Sequence, residues 1–306
     1  MTSSFFHSDS TILAMCAAGA LCMPLGVVAN WRDVATARGL EKIVALRSVC
    51  VAVALAIFGA LHLFGIRFVL SLVPTYLPLR TFWAYLVGAG LIAAALSIAT
   101  KKGVRWSGLL FGAMMYAFVA MIHFPGALRT PGDSNIWTIV FREMSFGGAG
   151  WILAGLAMHT ERQLWWNRAI NTGGVWITLA MFVFGVRHFM HPTALPGVPL
   201  RMDMPSWVPL QLSIGYVTGA VLLLGALSVV FRKQPRRVVS LVGVWLLLLV
   251  AVIYVPFLIV SLADAATGVQ LVGINYFADT LLFAGAVLSL AAASPRDVDA
   301  MHAATT

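Results

Sequence analysis

Apolar residues run through this chain in blocks of about twenty, separated by short polar stretches, and no alternating strand pattern lies between them. Blocks near 46–66, 80–99, 104–123, 139–158, 172–190, 210–231, 237–260 and 272–293 match the roughly 20 residues that a helix needs to cross the hydrocarbon. A ninth block, 11–29, is also uncharged and ends at Asn30-Trp31-Arg32-Asp33. It lacks the basic start and small-residue cleavage site of a secretory signal, so removal is not expected. It either spans or lies against the rest, and the pattern leaves both open. The predicted class is an all-α polytopic membrane protein.

The blocks are written twice. Phe58-Gly59-Ala60-Leu61-His62, Pro74-Thr75-Tyr76-Leu77-Pro78 and Tyr85-Leu86-Val87-Gly88-Ala89 return in order. Their second versions are Phe184-Gly185-Val186-Arg187-His188, Pro205-Ser206-Trp207-Val208-Pro209 and Tyr216-Val217-Thr218-Gly219-Ala220. The offset is 126 residues at the histidines and 131 from the prolines onward, which places a five-residue insertion in the second loop. Order-preserving self-similarity of this kind reads as a tandem repeat. The expected organisation is an N-terminal helix with a basic connector (1–42), two four-helix repeats (43–160 and 171–294) and a tail (295–306). Four spans per repeat is an even number, so both copies enter the membrane in one direction, as parallel bundles.

Composition agrees with the pattern. Of 306 residues, 60% are hydrophobic and 10% charged, against about 25% charged in soluble domains. The net charge of +9 sits in short loops rather than on a basic stripe, which excludes nucleic acid as a partner and leaves the lipid bilayer. Fourteen Lys and Arg fall in the loops at 30–47, 100–105, 159–171 and 232–237 and in the tail. The other face holds Arg67, Arg80, Arg129, Arg142, Arg187 and Arg201. The positive-inside rule then predicts an inner-membrane protein with its C-terminus cytoplasmic and its proline-rich loops outward. Cys16, Cys22 and Cys50 lie inside apolar blocks without a Cys-x-x-Cys spacing, which argues against a thiol–disulfide relay.

The unusual polar residues gather toward the outer ends of the blocks. His62, His123, Arg142 and Glu143 are expected to meet in the first repeat. His188, Tyr254 and Asp279 are expected in the second, with Arg187 and His191 beside them. Ionisable residues within spans usually face a partner or a cavity. No His-x-x-x-His lies within one helix, and no metal site is assigned. A quinone headgroup site is one reading, with His62 and Glu143 walled by Phe58, Tyr76 and Trp83. The other is that His62 and Glu143 simply satisfy each other near the water interface. Trp137, Trp207 and Trp165-Trp166 read as interfacial aromatic belts, and His7 and His159 as solvated. An apolar midplane argues against an ion-coupled carrier. No loop is long enough for a soluble cofactor domain, so any redox partner is a separate chain.

On these residues the sequence resembles the DoxX-like family of small four-helix membrane proteins, as two fused copies. The resemblance rests on Phe58-Gly59-x-x-His62, Val73-Pro74-Thr75-Tyr76-Leu77-Pro78, Tyr85-Leu86-Val87-Gly88, His123-Phe124-Pro125 and Arg142-Glu143 before Phe146-Gly147-Gly148-Ala149. It covers about 45–158 and, more weakly, 172–293, where Tyr254 and Asp279 depart from the pattern. It implies an accessory membrane subunit of a quinone-linked oxidoreductase, with quinone as the ligand and a separate redox subunit as partner. In that reading His62 holds a quinone oxygen, Glu143 orients or protonates it, Arg142 stabilises the anion, and Tyr76, His123, His188 and Asp279 are further contacts. A non-enzymatic membrane scaffold or assembly factor is the alternative, and a small-solute carrier the third.

Overall fold

A computed structural model describes residues 10–158 and 164–295. His7, His159, the tail from 296 and the side chains of Trp165 and Trp166 lie outside the described residues. Long apolar blocks satisfy every internal peptide group within one segment, which is why the membrane-crossing parts of this chain are helical. The first half comprises α1 (Ser10–Thr36), α2 (Glu41–Val44), α3 (Arg47–Phe64), α4 (Ile66–Leu72), α5 (Arg80–Thr100), α6 (Val104–Phe118), α7 (Phe124–Arg129) and α8 (Ser134–Ala157). The second comprises α9 (Leu164–Met190), α10 (Gln211–Val230), α11 (Pro235–Leu249), α12 (Val255–Leu262) and α13 (Thr267–Ala293). No strand is present among the described residues, and one isolated bridge joins Ala194 to Asp203.

Eight helical segments are long and apolar enough to cross a membrane, which makes this an integral membrane protein. They include α1 but not α8, whose 24 residues carry Arg142 and Glu143. The uncertainty over residues 11–29 is resolved by packing. Gly19 lies against Ile57, Gly26 against Val49, and the Thr11 hydroxyl donates to the Phe64 carbonyl at 3.0 Å. α1 therefore runs antiparallel along the whole of α3. Its first residues lie at the proline-loop face, and Asn30, Ser48 and the Ala99 carbonyl meet at the basic face.

Backbone features recur 131 residues apart. Leu79 and Leu210, which precede α5 and α10, have φ of 54° and 53°. Lys101 and Arg232 (60° and 54°) and Gly103 and Gln234 (72° and 46°) share the left-handed region in the basic turns. Side chains other than glycine seldom adopt it. Single π-turns occupy Val119–His123 and Val250–Tyr254. Each precedes a proline, Pro125 or Pro256, that has no N–H for the carbonyl four residues back. At the first, the Tyr76 hydroxyl donates to the Met121 carbonyl at 2.8 Å and takes the place of the missing amide.

Small residues set the helix spacing. Gly59 packs on Ile92 and Gly185 on Leu223, so α3 meets α5 as α9 meets α10. Gly112 packs on Trp151 and Gly243 on Leu288, so α6 meets α8 as α11 meets α13. Between the halves, Gly148 and Gly173 touch through their backbones, and Gly285 lies against Cys50 and Val51. At the basic face, Arg236 bonds both oxygens of Glu41 at 2.7 and 2.8 Å. Its third nitrogen caps the carbonyls of Ala291, Ala292 and Ser294 at the end of α13.

Candidate functional site

Two of the glycine contacts set the correspondence between α8 and α13. With Trp151 in the place of Leu288, the offset is 137 residues, and Phe146, Gly148 and Ala149 coincide with Phe283, Gly285 and Ala286. Asp279 then stands in the position of Arg142, and Thr280 in that of Glu143.

The two expected gatherings of polar residues are accordingly rearranged. Arg142 reaches across the α8–α13 seam to Asp279 at 2.7 Å, and holds its neighbour Glu143 at 3.0 Å through Nε and 2.5 Å through Nη2. All three are buried or nearly so, with side chains 16%, 9% and 8% exposed for Arg142, Glu143 and Asp279. The guanidinium also lies 5.9 Å from the Phe146 ring centre. Asp279 sits near the middle of α13, about 18 Å along it from Thr267 at 1.5 Å per residue. The helix begins five residues before the expected block, so Asp279 lies about midway along it rather than near its start.

His62 does not pair with Glu143. Its Nδ1 donates to the Phe58 carbonyl at 2.8 Å within its own helix, and its Cβ lies against Gly88 on α5. A carbonyl accepts only, so a neutral His62 carries its proton on Nδ1 and a lone pair on Nε2. His123 ends the π-turn of the first half, where Glu143 and Arg142 are the charges acting on it. Both histidines are half-buried. Tyr76, Phe82 and Trp83 near this end are 67%, 55% and 42% exposed, and the Phe82 and Trp83 rings meet edge to face at 5.4 Å.

The matching end of the second half is closed. His188 and Tyr254 are wholly buried, at 0% exposure. The connection after α9 turns inward: Ala194, Leu195 and Val198 are buried, as are Pro196, Gly197 and Pro199. It returns through Leu195 N–H to the Met202 carbonyl at 2.9 Å and Met204 N–H to the Thr193 carbonyl at 2.8 Å. The tip of this hairpin meets the two side chains directly. The Tyr254 hydroxyl donates to the Pro196 carbonyl at 2.7 Å, and the Gly197 N–H donates to His188 Nε2 at 3.1 Å. Gly197 has φ of 104°, and a side chain there would press on Leu246 and Thr280.

Two arginines clip the hairpin to the start of α8. Arg187 donates to the Ser134 hydroxyl, to Asn135 Oδ1 at 3.0 Å and to the Pro199 carbonyl at 3.5 Å. Arg201 pairs with Asp133 at 2.6 Å, and Asp133 accepts from the Asn135 N–H at 2.9 Å as the cap of α8. That N–H, and then Arg201, hold the Asp133 carboxyl below the usual range. His191, expected near His188, is exposed. Clefts of about 270 Å³ beside Trp137 and Arg187 and about 220 Å³ beside Glu41 and Arg237 lie away from His62. No metal-binding group of three or more His, Cys, Asp or Glu side chains forms among the described residues.

Pro196, Gly197 and Thr280 escaped sequence reasoning. The five-residue insertion was the available signal, since a Pro-Gly pair inside extra loop length marks a turn. Comparison of the chain with models of protein families gives no match, nor does comparison with curated proteins or with solved structures.

Proposed function

We propose that this is a DoxX-like inner-membrane protein, with its basic face cytoplasmic, that holds a partner protein at the outer end of its first half. In this role it is a non-catalytic scaffold or assembly subunit. One observation carries the reading: His62 Nε2 and both ring nitrogens of His123 have no hydrogen-bond partner, while the corresponding His188 Nε2 and Tyr254 hydroxyl are met by the chain's own hairpin. Arg142, Glu143 and Asp279, which proton or redox chemistry would draw on, are engaged with one another. The test is mass spectrometry of what co-purifies with the gently solubilised protein, covering proteins, quinones and metals together. One defined protein, lost in His62→Ala with His123→Ala, is the expected result. An absence of protein with stoichiometric quinone would overturn it.

A second reading, an accessory subunit of a quinone-linked oxidoreductase, draws on the exposed aromatic residues Tyr76, Phe82 and Trp83 near the same end. With its lone pair on Nε2, His62 would accept from the hydroxyl of a quinol rather than donate to a quinone oxygen. A small-solute carrier is the third reading, and it draws on the buried ion cluster of Arg142, Glu143 and Asp279.

A further inference from the structure

The Pro196 carbonyl and the Gly197 N–H are the two ends of one peptide bond. The second half thus grips a peptide group between Tyr254, which donates at 2.7 Å, and His188, which accepts at 3.1 Å. Thr280 closes the third side, in contact distance of any side chain at Gly197. The helix contacts put His62 in the place of His188, His123 in that of Tyr254 and Glu143 in that of Thr280.

The first half keeps the polarity of this grip. His62 Nε2 is an acceptor by virtue of the Nδ1–H bond to Phe58, as His188 Nε2 is an acceptor for Gly197. A neutral His123 has one N–H to donate, as the Tyr254 hydroxyl does. What differs is the connection. It is five residues shorter and folds as α4, whose peptide groups bond within the helix, as Val69 N–H does to the Gly65 carbonyl at 3.1 Å. No peptide group of this connection bonds His62 Nε2 or His123, and its Leu70 and Val73 carbonyls are taken by Arg80, so His62 and His123 are left unmet.

We propose that the first half receives a peptide group from another chain. An extended partner segment would place its carbonyl on His123 and its N–H on His62 Nε2, in the manner of the protein's own hairpin. This rests on the partner-holding reading and names the chemistry by which the partner is recognised. A carbonyl acceptor and an N–H donor on one ligand distinguish it from a metal, an anion or a plain hydrocarbon tail.

The probe is a synthetic peptide copying residues 193–204 of this chain, added to the full-length protein in nanodiscs. Binding is followed by calorimetry and by the ¹⁵N signal of His62 Nε2 in histidine-labelled protein. Saturable binding that shifts this signal is expected, weakened by about tenfold when the nitrogen of the peptide's central glycine is methylated. The methylated peptide needs no protein variant, so a misfolded His62→Ala cannot obscure the result. No saturable binding, or equal affinity for the methylated peptide, overturns the inference. Loss of a co-purifying protein in the histidine variants without any peptide binding would overturn it while leaving the partner-holding reading in place. A quinone at His62 would overturn both.

Discussion

Arg142 and Asp279 meet at 2.7 Å from corresponding positions of the two halves, 137 residues apart. Where corresponding positions of the two halves face one another, identical charges would repel. This chain instead carries opposite charges at the two positions. Glu143 adds a second carboxylate that has no equivalent, since Thr280 stands in its place. The guanidinium is therefore the element on which both acids depend.

Arg142→Met should be the most damaging change in the cluster, because it leaves two buried carboxylates without a cation. A loss of about 3–5 kcal/mol is expected. Asp279→Asn leaves Glu143 on the guanidinium and should cost roughly 1–2 kcal/mol. Thermal unfolding in detergent measures both. Combining Arg142→Asp with Asp279→Arg should recover part of what Arg142→Asp alone loses. Failure to recover any would count against a direct pair.

The hairpin gives a comparison between the halves. Tyr254→Phe keeps the ring and removes the donor to the Pro196 carbonyl, which is then buried and unmet at a cost of about 1–3 kcal/mol. His123→Phe, at the corresponding place, removes no hydrogen bond within the chain, and its cost should stay below about 1 kcal/mol. Equal losses of melting temperature in the two variants would show that His123 has an internal role like that of Tyr254.

Most of the helices were legible because apolar blocks and charged turns mark membrane helices strongly. The matching of Asp279 to Arg142 was not. Aligning acid with acid is natural in a sequence, but the register of α8 and α13 follows the packing of Gly112 on Trp151 and Gly243 on Leu288. The early start of α8 is illegible to hydropathy as well, since Asp133 caps a polar first turn that hydropathy counts as loop. Tyr76 read as a pocket wall, whereas its hydroxyl serves the Met121 carbonyl that Pro125 orphans. The inward course of residues 194–199 depends on contacts with Tyr254 and His188 from distant helices, which no local pattern encodes.

Helix contact between the halves depends on Gly173. A methyl group there would lie 2.4 Å from the Gly148 carbonyl oxygen, and both atoms belong to helix backbones that cannot move independently. Gly173→Ala should destabilise by roughly 1–3 kcal/mol through overpacking. Gly90 on α5 has open space around it, so Gly90→Ala should be neutral or gain up to about 1 kcal/mol from helix propensity. A melting curve for each variant separates contact from composition.

The clip between Arg201 and Asp133 should make the hairpin sensitive to acid. Asp133 is held below the ordinary carboxylate value of about 3.9 by the Asn135 N–H and by Arg201. A depressed value in the folded state means that the contribution is present at neutral pH and is lost as pH falls through that value. Arg201 is 74% exposed, so the pair alone adds little, and the effect should be local rather than global. Hydrogen exchange of amides 194–204, corrected for intrinsic rates, should show constant protection from pH 7 to about 5 and loosening below about 4. Asp133→Asn should remove that step, because the amide caps α8 without titrating. A step that survives in this variant would show that the pair of Arg201 and Asp133 is not its source.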